Sequence, residues 1–190
     1  MNRSIPVIPT LIVAAAVATM IALGFWQLGR ADEKAALIER YTAAAQLTDP
    51  VAFPREQDEV DDRLYRFSEV DCRSVVGQTT KSARSAAGRS GIGQVATCET
   101  EAGVIDVVLG WSREPGIVEY DGGSVNGWIA PLGEGAQLVA DPALGGLEPI
   151  ARPDPLDTPN NHLAYAGQWF FFALTALAIY VLAVRRRRNG

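Results

Sequence analysis

Apolar residues gather in two unbroken stretches near the ends of the chain and are interspersed with polar ones between them. Residues 163–184 carry no charge, and their only polar or amphipathic side chains are Tyr165, Gln168, Trp169, Thr175 and Tyr180. A helix rises 1.5 Å per residue, so roughly 20 apolar residues cross the hydrocarbon core of a bilayer. The stretch therefore predicts a transmembrane helix over residues 162–184. Pro159 prevents its extension backwards, and Asn160 or Asn161 suits the N-cap. Tyr165, Trp169 and the three phenylalanines that follow fall in its first turns, where an interfacial aromatic belt lies.

The first stretch, residues 11–28, predicts a second span over residues 11–30. Arg3 ahead of an apolar run resembles a signal peptide, with Ala22-Leu23-Gly24 as a cleavage site. Yet the run exceeds the ~7–15 residues of a signal core, and it continues into Phe25, Trp26 and Leu28, which suit an interface anchor. A retained helix is the expectation. Pro6 and Pro9 fall before it or in its first turn, where a missing N–H costs little.

Between the spans the period changes. Residues 31–45 are rich in helix formers and extend the first helix beyond the membrane. Strand patterns follow at residues 65–76, 92–98 and 104–111, with shorter ones at 117–120, 125–129, 137–139 and 147–151. In the third of these, Ile105, Val107, Leu109 and Trp111 alternate onto one face and Val104 and Val108 onto the other, as in a central strand covered on both sides. Glu101-Ala102-Gly103 and Asp121-Gly122-Gly123 read as turns, the latter as a hairpin. Residues 81–93, with Lys81, Arg84 and Arg89 among Ser, Ala and Gly, read as a mobile hairpin loop; contact with an acidic partner is the alternative. The run Glu56, Asp58, Glu59, Asp61, Asp62 reads as a solvated linker or helix face. The fold class expected is α+β: two transmembrane helices flanking a small, mainly antiparallel β domain, barrel or sandwich-like.

Charge fixes the orientation. All 22 acidic residues and 12 of the 17 Lys and Arg lie between the two stretches, a formal −10 there. The other five cations are Arg3 and the run Arg185, Arg186, Arg187 and Arg188. Basic residues close to a span stay cytoplasmic. Both termini (residues 1–10 and 185–190) are therefore expected inside, and residues 31–161 outside a cytoplasmic membrane. No basic stripe with interleaved aromatics is present, so nucleic acid is not an expected partner; membrane lipid is.

The cysteines, Cys72 and Cys98, sit on adjacent predicted strands of this exported segment, where an oxidising compartment lets a disulfide persist. A structural disulfide is expected, with free thiols and, after them, metal binding as the alternatives. Enzymatic chemistry finds little support. The one histidine, His162, stands at the mouth of the second span, which rules out a Ser-His-Asp or Cys-His site inside the β domain. Gly110-Trp111-Ser112 lacks the flanking glycine of a nucleophile elbow. Gly88, Gly91 and Gly93 form no phosphate cradle.

More informative are the polar residues at the outer helix ends. Trp26, Arg30 and Lys34 recur at helical spacing, with Gln27 beside them; His162, Tyr165, Ala166 and Trp169 share a face of the second helix. Were the two faces to meet, they would supply an axial imidazole, aromatic walls and cations, which are the requirements of haem. The alternative is that His162 helps cap its helix while Arg30 snorkels.

Gly24-Phe25-Trp26-Gln27 followed by Arg30, Lys34, Leu37 and Ile38 resembles the first-helix motif of the surfeit locus protein 1 family. Asn160-Asn161-His162-Leu163, Tyr165-Ala166 and Trp169-Phe170 are similar to its second-helix motif, and Leu64-Tyr65-Arg66 and residues 104–111 to its first and central strands. The chain departs from that pattern at Glu33, Cys72, Val108-Leu109 and Gln168. The resemblance implies a non-enzymatic assembly factor of the bacterial cell inner membrane. It would act on the catalytic subunit of a haem–copper (cytochrome c) oxidase, with other assembly factors as further partners. It implies transient haem a binding, with His162 as iron ligand and Trp26, Gln27, Arg30, Tyr165 and Trp169 as pocket or subunit contacts. The competing class is a membrane-anchored scaffold or sensor that binds a protein without cofactor.

The charge asymmetry makes a first prediction. A reporter active only outside the cytoplasm should be silent when fused after Gly190 and active when inserted between Ser82 and Gly91. Activity at the C-terminal fusion would reverse the orientation.

Overall fold

The computed structural model describes residues 6–189, and the side chains of residues 6–187. Arg3, the rest of the expected N-terminal tip before Pro6, Gly190 and the side chain of Arg188 lie outside the described residues. The chain divides into two compact units, Met1–Leu37 with Pro159–Gly190, and Ile38–Thr158.

Two helices make up the first unit: α1, Val7–Ala44, whose last turns from Ile38 belong to the second unit, and α3, His162–Asn189. The span expected at the N-terminus and its expected extension are thus one uninterrupted helix. Both helices are long and apolar enough to cross a membrane, and only 6 % of either apolar window is buried. A core helix of a soluble domain would be covered. Surfaces this apolar and this bare match lipid, where every backbone N–H and C=O must find its partner within the helix.

The second unit holds α2, Gln57–Arg63, and six strands: β1, Phe67–Cys72; β2, Ser74–Arg84; β3, Ser90–Thr100; β4, Gly103–Ser112; β5, Gly123–Leu132; β6, Gly135–Ala140. They form one sheet in the order β1-β5-β6-β4-β3-β2. Neighbours are antiparallel except β4 and β6, which run parallel over Val107↔Leu138 and Val108↔Val139. β4 is the interior strand the alternation predicts. Val107, Val108 and Leu109 are consecutive and at most 1 % exposed, so both faces are covered.

The stretch expected as a single strand over residues 65–76 is two. Arg73 alone separates β1 from β2, yet these strands stand at opposite edges of the sheet. That path requires the sheet to fold over until its edges approach. Two links hold the fold-over: the Arg73 N–H donates to the Glu99 carbonyl of β3 at 2.9 Å, and a disulfide joins Cys72 of β1 to Cys98 of β3, Cα atoms 5.2 Å apart. Cys72, Cys98, Val107, Ile129 and Leu138, all nearly inaccessible, lie in the core. The sheet is sandwich-like and does not close into a barrel.

Register overturns one face assignment. Val108 pairs with Val95 and Trp111 with Gly93, with a register shift between. Val95 and Gly93 are two apart on β3 and share a face, so Val108 and Trp111 share it too. Leu109 is the extra residue of a β-bulge, and the bulge turns Trp111 from the face of Val107 to that of Val108. Gly91 accommodates it: a Cβ there would lie 2.5 Å from the indole.

The expected mobile loop at residues 81–93 is mostly ladder. β2 and β3 pair as far as Arg84↔Ser90, leaving only a short turn at residues 85–89. Small residues with poor strand propensity pair here because the register continues through them and Trp111 covers Gly91. Residues 117–120 form no strand. β5 already pairs with β1 on one side and β6 on the other, so no edge remains for them and no hairpin follows. The Asp121-Gly122-Gly123 turn itself exists; Gly122 and Gly123 have φ of 103° and 118°, and a Cβ on Gly122 would lie 2.5 Å from the Cys72 carbonyl oxygen. Residues 147–151 contribute only the isolated bridges Glu148↔Trp111 and Ile150↔Ser85. The acidic run is helix α2, with Val60 buried. Glu59 accepts from the Arg55 N–H at 2.8 Å and pairs with Arg63 at 2.7 Å, which holds its carboxyl below the usual range.

Because the Cys72–Cys98 link closes the fold-over, replacing both residues with Ala should lower the stability of this unit by about 2–4 kcal/mol. Thiol labelling of the folded wild-type protein should find neither cysteine before reduction and both after. An unchanged unfolding midpoint in the double variant would mean that strand pairing alone holds the edges together.

Candidate functional site

The least exposed residues of α1 within its unit recur with steps of three and four: Thr10, Val13, Val17, Met20, Gly24, Gln27, Ala31. On α3 the corresponding series is His162, Ala166, Trp169, Ala173, Ala176, Tyr180. A 3–4 alternation is the seam of a coiled-coil pair. Contacts between the helices confirm it and set them antiparallel. The Thr10 and Tyr180 hydroxyls bond at one end. Midway, the Phe170 ring lies on Gly24, where a Cβ would come within 2.5 Å of it, and Phe25 meets the same ring edge-on at 5.4 Å. Ala31, Ala166 and Ala173 are almost fully buried along the seam. In lipid no hydrophobic force drives helices together, so small residues that permit close approach are what make such a seam.

At the other end the seam turns polar. His162 Nδ1 stands 2.7 Å from Gln27 Oε1, and the Asn160 amide donates to the Ala31 carbonyl at 3.2 Å. With the Gln27 amide oxygen as acceptor, Nδ1 is the donor of this bond, and in a neutral imidazole Nε2 is then the nitrogen with the free lone pair. His162 does not cap: it is the first residue of α3, and its Nδ1 faces Gln27 and not a backbone amide. Asn161 occupies the cap position, its carbonyl accepting from Tyr165 N–H at 3.2 Å. Among the described residues Asn160 Oδ1, though buried, has no partner.

Of the residues singled out in the sequence, Gln27 and His162 are brought together. Trp26 is 57 % exposed and Tyr165 51 %, both off the seam. Arg30 is directed to Glu33 on its own helix, an exposed pair. Trp169 is half-buried and stacks edge-on with Phe172 of its own helix at 6.3 Å. Asn160, Gly24 and Phe170 belong to the seam without having been singled out as site residues. The signal for Gly24 was the recurrence of small residues seven apart, Gly24 with Ala31 and Ala166 with Ala173; Asn160 and Phe170 had none of that kind.

His162 would be the residue to hold a haem iron: a single imidazole, its other ring nitrogen held by a neighbouring acceptor, is how such ligands are oriented. Trp26 and Tyr165 offer exposed aromatic faces, and Arg30 a cation balanced only by an exposed carboxylate.

Cysteines placed at Thr10 and Tyr180 should be joined within one chain by a short bifunctional thiol cross-linker, which spans the reach of the lost tyrosine ring where a direct disulfide would not, as read by mass spectrometry of a digest. Adding Gly24→Leu, which forces Phe170 away, should cut the yield several-fold. An unchanged yield would mean that the close approach at Gly24 does not hold the pair.

A search of the curated proteins finds no match. The model of the SURF1 family matches residues 14–174, a span that takes in the apolar body of α1, the whole β unit and the first half of α3. Two apolar helices and this match make the chain a membrane-anchored protein. It belongs to the SURF1 family, known as a family of cytochrome oxidase assembly factors.

Proposed function

We propose that the protein is a non-enzymatic helper in the bacterial inner membrane that binds haem a transiently through His162 and aids its insertion into, or stabilises it in, the catalytic subunit of a haem–copper oxidase. Both termini are cytoplasmic in this reading and the β unit is periplasmic, as the basic flanks require. Other assembly factors are further partners.

The observation that carries the reading is the Gln27–His162 pair. In the neutral imidazole an acceptor on Nδ1 favours the tautomer with its lone pair on Nε2, the nitrogen that would hold a haem iron. Haem supplies the iron that the imidazole would bind; the chain supplies orientation. Gln27 fixes the ring, Trp26, Tyr165 and Trp169 provide aromatic surface, and Arg30 can exchange Glu33 for a propionate.

His162→Ala keeps the cap at Asn161 and removes the ligand. The purified, detergent-solubilised variant should lose or shift haem a absorbance while inserted at normal abundance, and cellular oxidase activity should fall in part. Gln27→Leu should shift the same spectrum more weakly. Arg30→Ala should weaken retention least, since an exposed ion pair is worth about 0–1 kcal/mol. An unchanged spectrum in His162→Ala overturns the ligand. Absence of haem from the wild-type protein leaves the cofactor-free scaffold in its place.

A further inference from the structure

His162 stands where its own helix restrains it least. It is the first residue of α3, and the first four N–H groups of a helix have no partner within it. Helix ends fray for that reason. The bond to Gln27 does not by itself hold the imidazole still. The glutamine amide sits on a long rotatable arm and, among the described residues, makes no other hydrogen bond.

A second restraint lies two residues earlier in the chain. Asn160 donates from Nδ2 to the Ala31 carbonyl at 3.2 Å, within the unit that holds both helices. Ala31 follows Gln27 by one turn of α1, so the two bonds form neighbouring rungs across the seam. The rungs differ in stiffness. Ala31 lies well inside α1 and is 3 % exposed, so the helix fixes its carbonyl from both sides. That oxygen has two lone pairs, and one remains for Asn160 after its helix bond. Pro159 precedes Asn160, and its ring narrows the backbone freedom of the link. The carboxamide holds through this one bond, because Asn160 Oδ1 has no partner among the described residues.

The Gln27 rung decides which nitrogen of His162 is available. A neutral imidazole free in water is protonated mostly at Nε2, and an acceptor held against Nδ1 reverses that. The reversal lasts only while the ring stays against Gln27, and the ring moves with the start of α3.

We propose that Asn160 is a positioning residue: its bond to Ala31 pins the start of α3 to α1 and so keeps the His162 imidazole on Gln27 with its lone pair on Nε2. The proposal deepens the ligand reading and rests on the same Gln27–His162 pair, yet its test needs no haem.

His162 is the one histidine of the chain, so histidine labelled with nitrogen-15 in the ring reports it alone, given an affinity tag free of histidine. Nitrogen NMR of the full-length, haem-free protein in detergent reads the ratio of the two neutral tautomers at about pH 8.5, well above the ordinary imidazole value. The wild type should be mainly the Nδ1–H form. Gln27→Leu gives the ratio of a ring without its acceptor. Asn160→Leu should lower the ratio of Nδ1–H to Nε2–H about two- to tenfold, the range that one net hydrogen bond supports. Asn160→Asp keeps the shape, is ionised at this pH and sets an oxygen against the Ala31 carbonyl, so its ratio should fall at least as far. Asn161→Ser keeps a capping side chain and should match the wild type. Thermal unfolding is measured for each variant, and the comparison uses those that unfold as the wild type does.

A wild-type ratio in Asn160→Leu or Asn160→Asp overturns the proposal. So does an equal fall in Asn161→Ser, which would assign the effect to fraying of the helix end. A wild-type ratio equal to that of Gln27→Leu would remove the Gln27–His162 bond and the proposal with it. If the ratios behave as expected and the wild-type protein takes up no haem a, Asn160 still positions the imidazole and only the haem reading falls.

Discussion

Hydrocarbon cannot hydrogen-bond to a peptide group, and that constraint shapes the first unit from end to end. Each crossing has to be an uninterrupted helix, which α1 and α3 are. Since lipid tails are as apolar as leucine, the two helices associate only by packing closely, through Gly24 beneath Phe170 and through Ala31, Ala166 and Ala173. Polar side chains are then admitted in few places. Thr10 and Tyr180 satisfy each other at one end of the seam, and Gln27, Asn160 and His162 gather at the other. The proposed ligand is thus at the point where the seam ends and imidazole has an amide oxygen to orient it.

The second unit rests on a different physical device. A strand that leaves one edge of a sheet and begins the other after a single residue forces the sheet over on itself. Cys72–Cys98 and the Arg73–Glu99 hydrogen bond hold that geometry. A second device acts where β4 meets β3. The bulge at Leu109 brings Trp111 onto the Val108 face, the indole occupies the space over Gly91, and the glycine-bearing strand beside it leaves room next to Lys81.

Much was legible in the chain alone, for stated physical reasons. Two charge-free stretches of membrane length, the four arginines after the second and the acids between them set the spans and the expected orientation, since transfer of charge into hydrocarbon is prohibitive at any fold. Alternation in residues 104–111 marked an interior strand. The polar residues beside the spans, Gln27 and His162 among them, were conspicuous because such residues are costly there.

Other features had no local signal. The helix seam is invisible to periodicity, because a helix facing lipid on one side and a helix on the other is apolar all round; only the small residues mark it. Hence Trp26, Arg30 and Tyr165 share helical spacing with the site yet point off the seam, while Gln27 lies on it. The break at Arg73 sits inside a continuous strand-forming run, and which sheet edge each half joins depends on partners far along the chain. Trp111 changed face through one extra residue, a register event set by β3 and not by β4's own alternation. The sequence by itself determined which segments are apolar enough to cross a membrane and which prefer strand; only tertiary pairing decided which faces meet, because a contact between distant residues is a property of both partners and is written in neither.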